Sequence, residues 1–307
     1  MITSFFNKSR PLYFIIVFFI TLLAFIIARI NRVNETITLD FVLKQAILLF
    51  IIFASILLLN FIVNKNSLTN KNNYEIVLFS LFLLFITQTT SHSNVLLSNF
   101  FVLVGLRRIV SLCSPKNTKK KLFDAAFWIA VAALFYFWSI LFFVLIILSL
   151  VLYTDNNIRH WIIPFLGVFA VFIIFGSVSV VLYDSFFERI NISPEISYAF
   201  SSYNSVQYLI AITVLLSFGV WSSIFYSQNI KKKKKAFRAS FKTIILAAVI
   251  GFFIVILSPD KNGSEFIFLF APLAIIIANY IDIIQEKWFK EIFLAVLVIT
   301  PFLLLLL

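Results

Sequence analysis

Thr87, Gln88, Thr89, Thr90, Ser91, His92, Ser93 and Asn94 form a run of eight polar residues between two apolar stretches. Irregular backbone at membrane depth survives only against protein or water. The run therefore reads either as the lining of a water-filled cavity, with His92 and Asn94 as substrate contacts, or as an ordinary surface loop. Arg29 and Arg32 lie shortly before Glu35 and Asp40, and Arg189 lies among Asp184, Glu188 and Glu195. Guanidinium groups hold phosphate or pyrophosphate in a bidentate fork, and a carboxylate nearby can act as a base. Arg29, Arg32 and Arg189 are thus candidate phosphate ligands, and Asp40 and Glu35 candidate catalytic carboxylates. The competing reading is a set of surface ion pairs, each contributing less than about 1 kcal/mol.

The stretch from Asp184 to Asn204 also carries Phe186, Phe187, Tyr198, Phe200 and Tyr203. Aromatic rings beside carboxylates suit a carbohydrate surface, and aromatic residues also gather at any membrane interface. Asp124, Asp155 and Asp282 fall near helix ends, where a carboxylate caps a helix or pairs with lysine; Asp282 is the deepest and the best candidate for an intramembrane polar contact. The two histidines, His92 and His160, fall on opposite faces and cannot share a metal, so no metal site and no cofactor are expected. A single cysteine, Cys113, excludes an intramolecular disulfide and sits beside the basic stretch Lys116 to Lys121. Neither GxxxxGK[ST] nor GxGxxG occurs, which argues against nucleotide-driven chemistry in this chain.

These residues must be held by apolar helices. Hydrophobic residues make up 62% of the chain and charged ones 12%, too few to coat a soluble globule. The expected fold class is all-α, a polytopic transmembrane helical bundle, with residues 1–307 as a single integral membrane domain. Apolar segments are read at Pro11 to Ile30, Phe41 to Val63, Tyr74 to Ile86, Val95 to Leu106, Phe123 to Tyr153, Trp161 to Tyr183, Val206 to Ser227, Phe241 to Leu257, Phe266 to Ile284 and Ile292 to Leu307. The first is read as a retained helix rather than a cleaved signal. The third and fourth are short for a crossing. Pro164, Pro272 and Pro301 are expected to kink their helices.

The fifth segment is too long. As one helix it would reach about 46 Å, against a hydrocarbon layer of roughly 30 Å, and both its ends carry positive charge. Two short helices turning near Tyr136 to Trp138 bring every strongly basic loop to one side, as the positive-inside rule asks. The result is about 11 membrane helices, with a short-helix hairpin at 123–153, the N-terminus cytoplasmic and the C-terminus outside. The net charge of +12 is then a topology signal. Lys231 to Lys235 are expected to meet anionic lipid headgroups, and nucleic acid is not expected as a partner.

Phe123, Asp124, Ala125, Ala126 and Phe127, followed by Leu134, Phe135, Tyr136 and Phe137, resemble a family of bacterial inner-membrane proteins classed as a domain of unknown function. Arg159, His160, Trp161, Pro164 and Gly167 extend that resemblance, as do Ala271, Pro272, Leu273 and Ala274. The basic loop, half-helix, aromatic turn and second half-helix from Lys121 to Tyr153 also resemble C-type (GT-C) glycosyltransferases, which use polyprenyl-phosphate sugars. That resemblance implies a polyprenyl-linked substrate and a catalytic carboxylate in the first outer loop, at Glu35 or Asp40. The loop is about ten residues long here, shorter than is usual in that superfamily.

The functional expectation is a protein of the bacterial inner membrane that handles a lipid-linked, phosphate-bearing envelope precursor. The cavity would face outward, formed by Thr87 to Asn94 with the outer loops after the first and sixth segments. Two alternatives stand beside it: a transporter or flippase gated by the hairpin with Asp282 or Asp124 coupling protons, and a non-catalytic subunit whose Phe-rich surface packs on partner membrane proteins.

Overall fold

Hydroxyl contacts at the two ends of one helix establish how the chain is threaded. The structure, a computed structural model, describes residues 11–30, 38–70, 72–153, 157–184 and 194–307. Among them are eleven α-helices and no strand. They are α1 (Pro11–Ile30), α2 (Leu39–Asn66), α3 (Tyr74–Phe85), α4 (Ser93–Val110), α5 (Thr118–Phe135), α6 (Phe142–Leu152), α7 (Ile158–Tyr183), α8 (Val206–Ile230), α9 (Lys235–Leu257), α10 (Ile267–Ile283) and α11 (Lys287–Leu304). Seven helices are long and apolar enough to cross a membrane, and α3 and the Phe137–Leu152 stretch are shorter apolar helices. These features fit a multi-pass membrane protein.

The hairpin is present. At the N-terminal end of α9, Ser240 Oγ lies 3.0 Å from the Tyr153 hydroxyl and donates to Val110 O at 3.2 Å. Lys121 belongs to the same end, where its ammonium donates to Ser111 O at 2.7 Å and Ser114 O at 2.8 Å. At the far end of α9, Ser258 accepts from the Tyr136 hydroxyl at 2.6 Å. Ser240 and Ser258 are roughly 27 Å apart along the helix axis, so the chain climbs from Lys121 to Tyr136 and returns to Tyr153. The break is a 3-10 turn over Phe137–Leu141, slightly longer than the expected turn.

That path gathers the described lysine-rich connections at one end of the bundle. Arg108 pairs with Asp124 at 2.9 Å there, and Arg107 and Lys65 both lie over the Phe61 ring. Thr87 to Asn94, the hairpin tip and the α9–α10 connection occupy the opposite end.

The fourth segment is longer than its apolar core implies. α4 begins at Ser93 and runs to Val110, with a 3-10 turn continuing to Cys113, and the whole is long enough to cross. Only the third stays short, and all twelve residues of α3 are buried. α3 and α10 form the centre of the bundle, with the Phe270 ring 6.4 Å from Phe79 and 5.6 Å from Phe82.

Lipid tails are as apolar as leucine, so helices in a membrane adhere through close packing rather than escape from water. The α5–α7 contact shows this at Gly167, where an added Cβ would stand 2.8 Å from Phe123 O and 2.9 Å from Ala126 Cβ. Outside that contact α7 is lipid-like in surface, with Phe165, Phe169 and Ile173 exposed.

Candidate functional site

The polar run is buried at its centre and exposed at Gln88 and Asn94. Thr87–Thr90 coil into a 3-10 turn, and Thr89 and Thr90 are each 0% exposed. Their hydroxyls return to the local backbone, Thr89 Oγ1 to Ile86 O at 2.7 Å and Thr90 Oγ1 to Thr87 O at 2.9 Å, which supplies partners the helices cannot. Arg29 reaches in from the end of α1. Its Nη2 donates to Thr90 O at 2.8 Å, Nη1 to Phe25 O at 3.0 Å, and Nε to Gln45 Oε1 on α2. The guanidinium also covers the Phe25 ring at 3.4 Å from its centroid.

The α9–α10 connection is shaped by its own side chains. Ser264 N donates to Asn262 Oδ1 at 3.0 Å, and Gly263 N to Glu265 Oε1 at 3.2 Å. Gly263 has φ +89°, a left-handed conformation that favours glycine, and an added Cβ would meet the Tyr208 hydroxyl at 2.6 Å. That hydroxyl donates to Asn262 O at 3.0 Å and so holds the loop to α8. Lys261 is turned inward, donating to Val255 O at 2.7 Å and to Ile256 O; burial pulls its pKa below the usual lysine value.

Between these pieces and the hairpin tip lies a cavity of about 220 Å³. Its walls are His92, Ser93, Asn94 and Val95 from the start of α4, Phe135 to Trp138 from the hairpin, and Pro259, Asp260, Asn262 and Ser264 from the α9–α10 loop. Asp260 and Asn94 are exposed, and Trp138 is 8% exposed. Trp138 Nε1 and Ser139 Oγ are buried without a hydrogen-bond partner among the described residues. The Tyr136 hydroxyl is turned to Ser258, to which it donates. A second cavity of about 370 Å³ lies on the other side of the polar run, between Thr87, Gln88 and Ser91, α1 at Ile27 and Ala28, and α8 at Gln207 and Tyr208.

Of the residues singled out from sequence, His92 and Asn94 meet at the first cavity. Arg29 lies beside the polar run, engaged as described. Asp40 is exposed in the first turn of α2, behind the cap in which Thr38 Oγ1 accepts from Phe41 N at 3.3 Å, and it lines neither cavity. Glu35, Arg32 and Arg189 lie outside the described residues. The contribution of the hairpin tip and of Asp260 and Asn262 to the lining was not anticipated. The turn-forming run Ser258-Pro-Asp-Lys-Asn-Gly-Ser was the available signal for the loop. Asp282 does make a polar contact near a helix end, accepting from Asn72 Nδ2 at 2.8 Å on both oxygens.

Chemically, the first cavity offers one carboxylate, an imidazole, two amides, hydroxyls and aromatic faces. No described lysine or arginine lines it. Such a lining matches a hydroxyl-rich group, which both donates and accepts, better than a bare phosphate.

Residues 5–306 match the profile of a family described as a family of unknown function, DUF6427. No curated protein and no solved structure matches the chain.

Proposed function

The chain belongs to this family of unknown function, and from that premise we propose that it binds the hydroxyl-rich headgroup of a lipid-linked molecule in the 220 Å³ cavity. One observation carries the reading: the lining combines Asp260, Asn262, Asn94 and His92 with the rings of Tyr136, Phe137 and Trp138, at the end of a bundle of apolar helices. Polar groups orient a sugar-like head, aromatic faces cover its C–H surface, and the lipid tail stays in the bilayer beside the helices. The proposal places the lysine-rich end in the cytoplasm and the cavity on the outer side. The proposal stops at binding, because Asp40, read from the sequence as a catalytic base, lines neither cavity, and Glu35, Arg32 and Arg189 lie outside the described residues.

The test is to extract the protein with its surrounding membrane into polymer-bounded discs and identify retained lipids by mass spectrometry. The wild type should retain a glycosylated lipid, and His92→Ala combined with Asp260→Asn and Asn262→Ala should release it. Retention by the triple variant, or no such lipid with the wild type, overturns the binding reading.

A further inference from the structure

At the lysine-rich end, far from the cavity, Glu75 stands on the first turn of α3 and is 0% exposed. Both of its carboxylate oxygens lack a hydrogen-bond partner among the described residues, and so do both polar side-chain atoms of Asn73, which is 1% exposed. Asn73 precedes the helix but forms no side-chain cap. No lysine or arginine among the described residues forms an ion pair with Glu75; the described ion pair at this end is Arg108 with Asp124.

Asp282 comes in from α10, partly exposed, and acts electrostatically on Glu75. Its carboxylate is fixed by Asn72 Nδ2 and by Asn70 N at 3.4 Å. The other titratable groups around this corner are Tyr13 of α1, Tyr74 beside Glu75, Lys290 and Glu291 of α11, and Lys233 of the α8–α9 connection, which acts on Asp282. Lys290 lies over the Tyr74 ring at 5.7 Å.

Burying a carboxylate with no counter-charge and no donor beyond its own backbone N–H is costly, and an added cation offsets that cost. The start of a helix also presents free N–H groups, which favour a negative charge but place no positive ion. The donor set limits which cation fits. One carboxylate and one amide oxygen are hard ligands, and no group of three His, Cys, Asp or Glu is present among the described residues, which is too few for a divalent or transition metal.

We propose that Glu75 and Asn73 supply the oxygen ligands of a small monovalent cation that enters from the lysine-rich end past Asp282. Its site joins α3 to α10, α1 and α11, the helices at and around the bundle centre, so occupancy tightens the core.

The test uses the full chain in nanodiscs. Thermal unfolding is followed while NaCl, KCl or LiCl replaces N-methylglucamine chloride at constant ionic strength and pH. One of the alkali ions should stabilise the wild type saturably, raising the folded-to-unfolded ratio about 100-fold at 100 times the dissociation constant. Glu75→Gln and Asn73→Ala should lose that dependence, and Asp124→Asn should keep it. Equilibrium dialysis of the wild type against radioactive sodium provides a readout that does not depend on the variants folding. No alkali-specific stabilisation and no saturable uptake would overturn the proposal, as would cation dependence persisting in Glu75→Gln. Stabilisation that follows pH alone, with no difference between alkali ions and N-methylglucamine, would mean that Glu75 takes only a proton and would equally overturn it.

Discussion

Arg29 Nη2 and Thr90 O lie 2.8 Å apart, a charge-assisted hydrogen bond that ties the end of α1 to the buried polar turn between α3 and α4. The same guanidinium reaches α2 through Gln45. Three elements therefore meet on one planar group, a geometry that a lysine ammonium does not reproduce. Arg29→Lys is expected to lower stability by about 1–3 kcal/mol, in keeping with the loss of hydrogen bonds to a charged group. Thermal unfolding in nanodiscs measures it; a variant as stable as the wild type would remove Arg29 as a brace of the polar turn.

The hairpin predicts which surfaces share a compartment. With Cys113 replaced by serine, single cysteines at Lys119 and Lys232 should react with a membrane-impermeant maleimide from one side, and those at Asn94 and Glu195 from the other. Labelling of Lys119 and Lys232 from opposite sides would remove the hairpin.

Gly167 faces backbone on α5, so a methyl group there cannot be absorbed by a side-chain rotation. Gly167→Val should destabilise the α5–α7 contact by about 1–3 kcal/mol. Gly105→Ala should cost less, because an added Cβ there stands 3.0 Å from Ile129 Cγ1 and 3.3 Å from Ala125 O, a looser fit than the 2.8 Å approach to backbone at Gly167. Parallel unfolding curves for the two variants decide the order.

Tyr153 closes the hairpin at the lysine-rich end, its hydroxyl 3.0 Å from Ser240 Oγ on α9. Tyr153→Phe should lower stability by about 0.5–1.5 kcal/mol through the loss of that hydrogen bond, and an unchanged unfolding temperature in nanodiscs would remove the contact as a brace of the hairpin.

Much of the bundle was legible because hydropathy is local. α1 begins and ends at Pro11 and Ile30 as read from the apolar run, and the hairpin followed from the length of Phe123 to Tyr153 and the charges at both its ends. Glu75 was also legible in principle, as an isolated carboxylate at the start of an apolar segment, and such residues are functional candidates by default. α4 was read too short because Ser93 and Asn94 are polar, yet their side chains border a cavity while their backbone is already helical.

Amino-acid order alone determined the all-helical class and the helix bounds to within about six residues, since each depends on runs of apolar neighbours. Tertiary structure alone decided that Tyr136 meets Ser258, that Asp282 meets Asn72 and that Glu75 meets no side-chain donor among the described residues. Those pairings depend on how each helix is rotated about its axis. In lipid that rotation follows from close packing at residues such as Gly167 and Phe270, not from the apolar character that all the helices share.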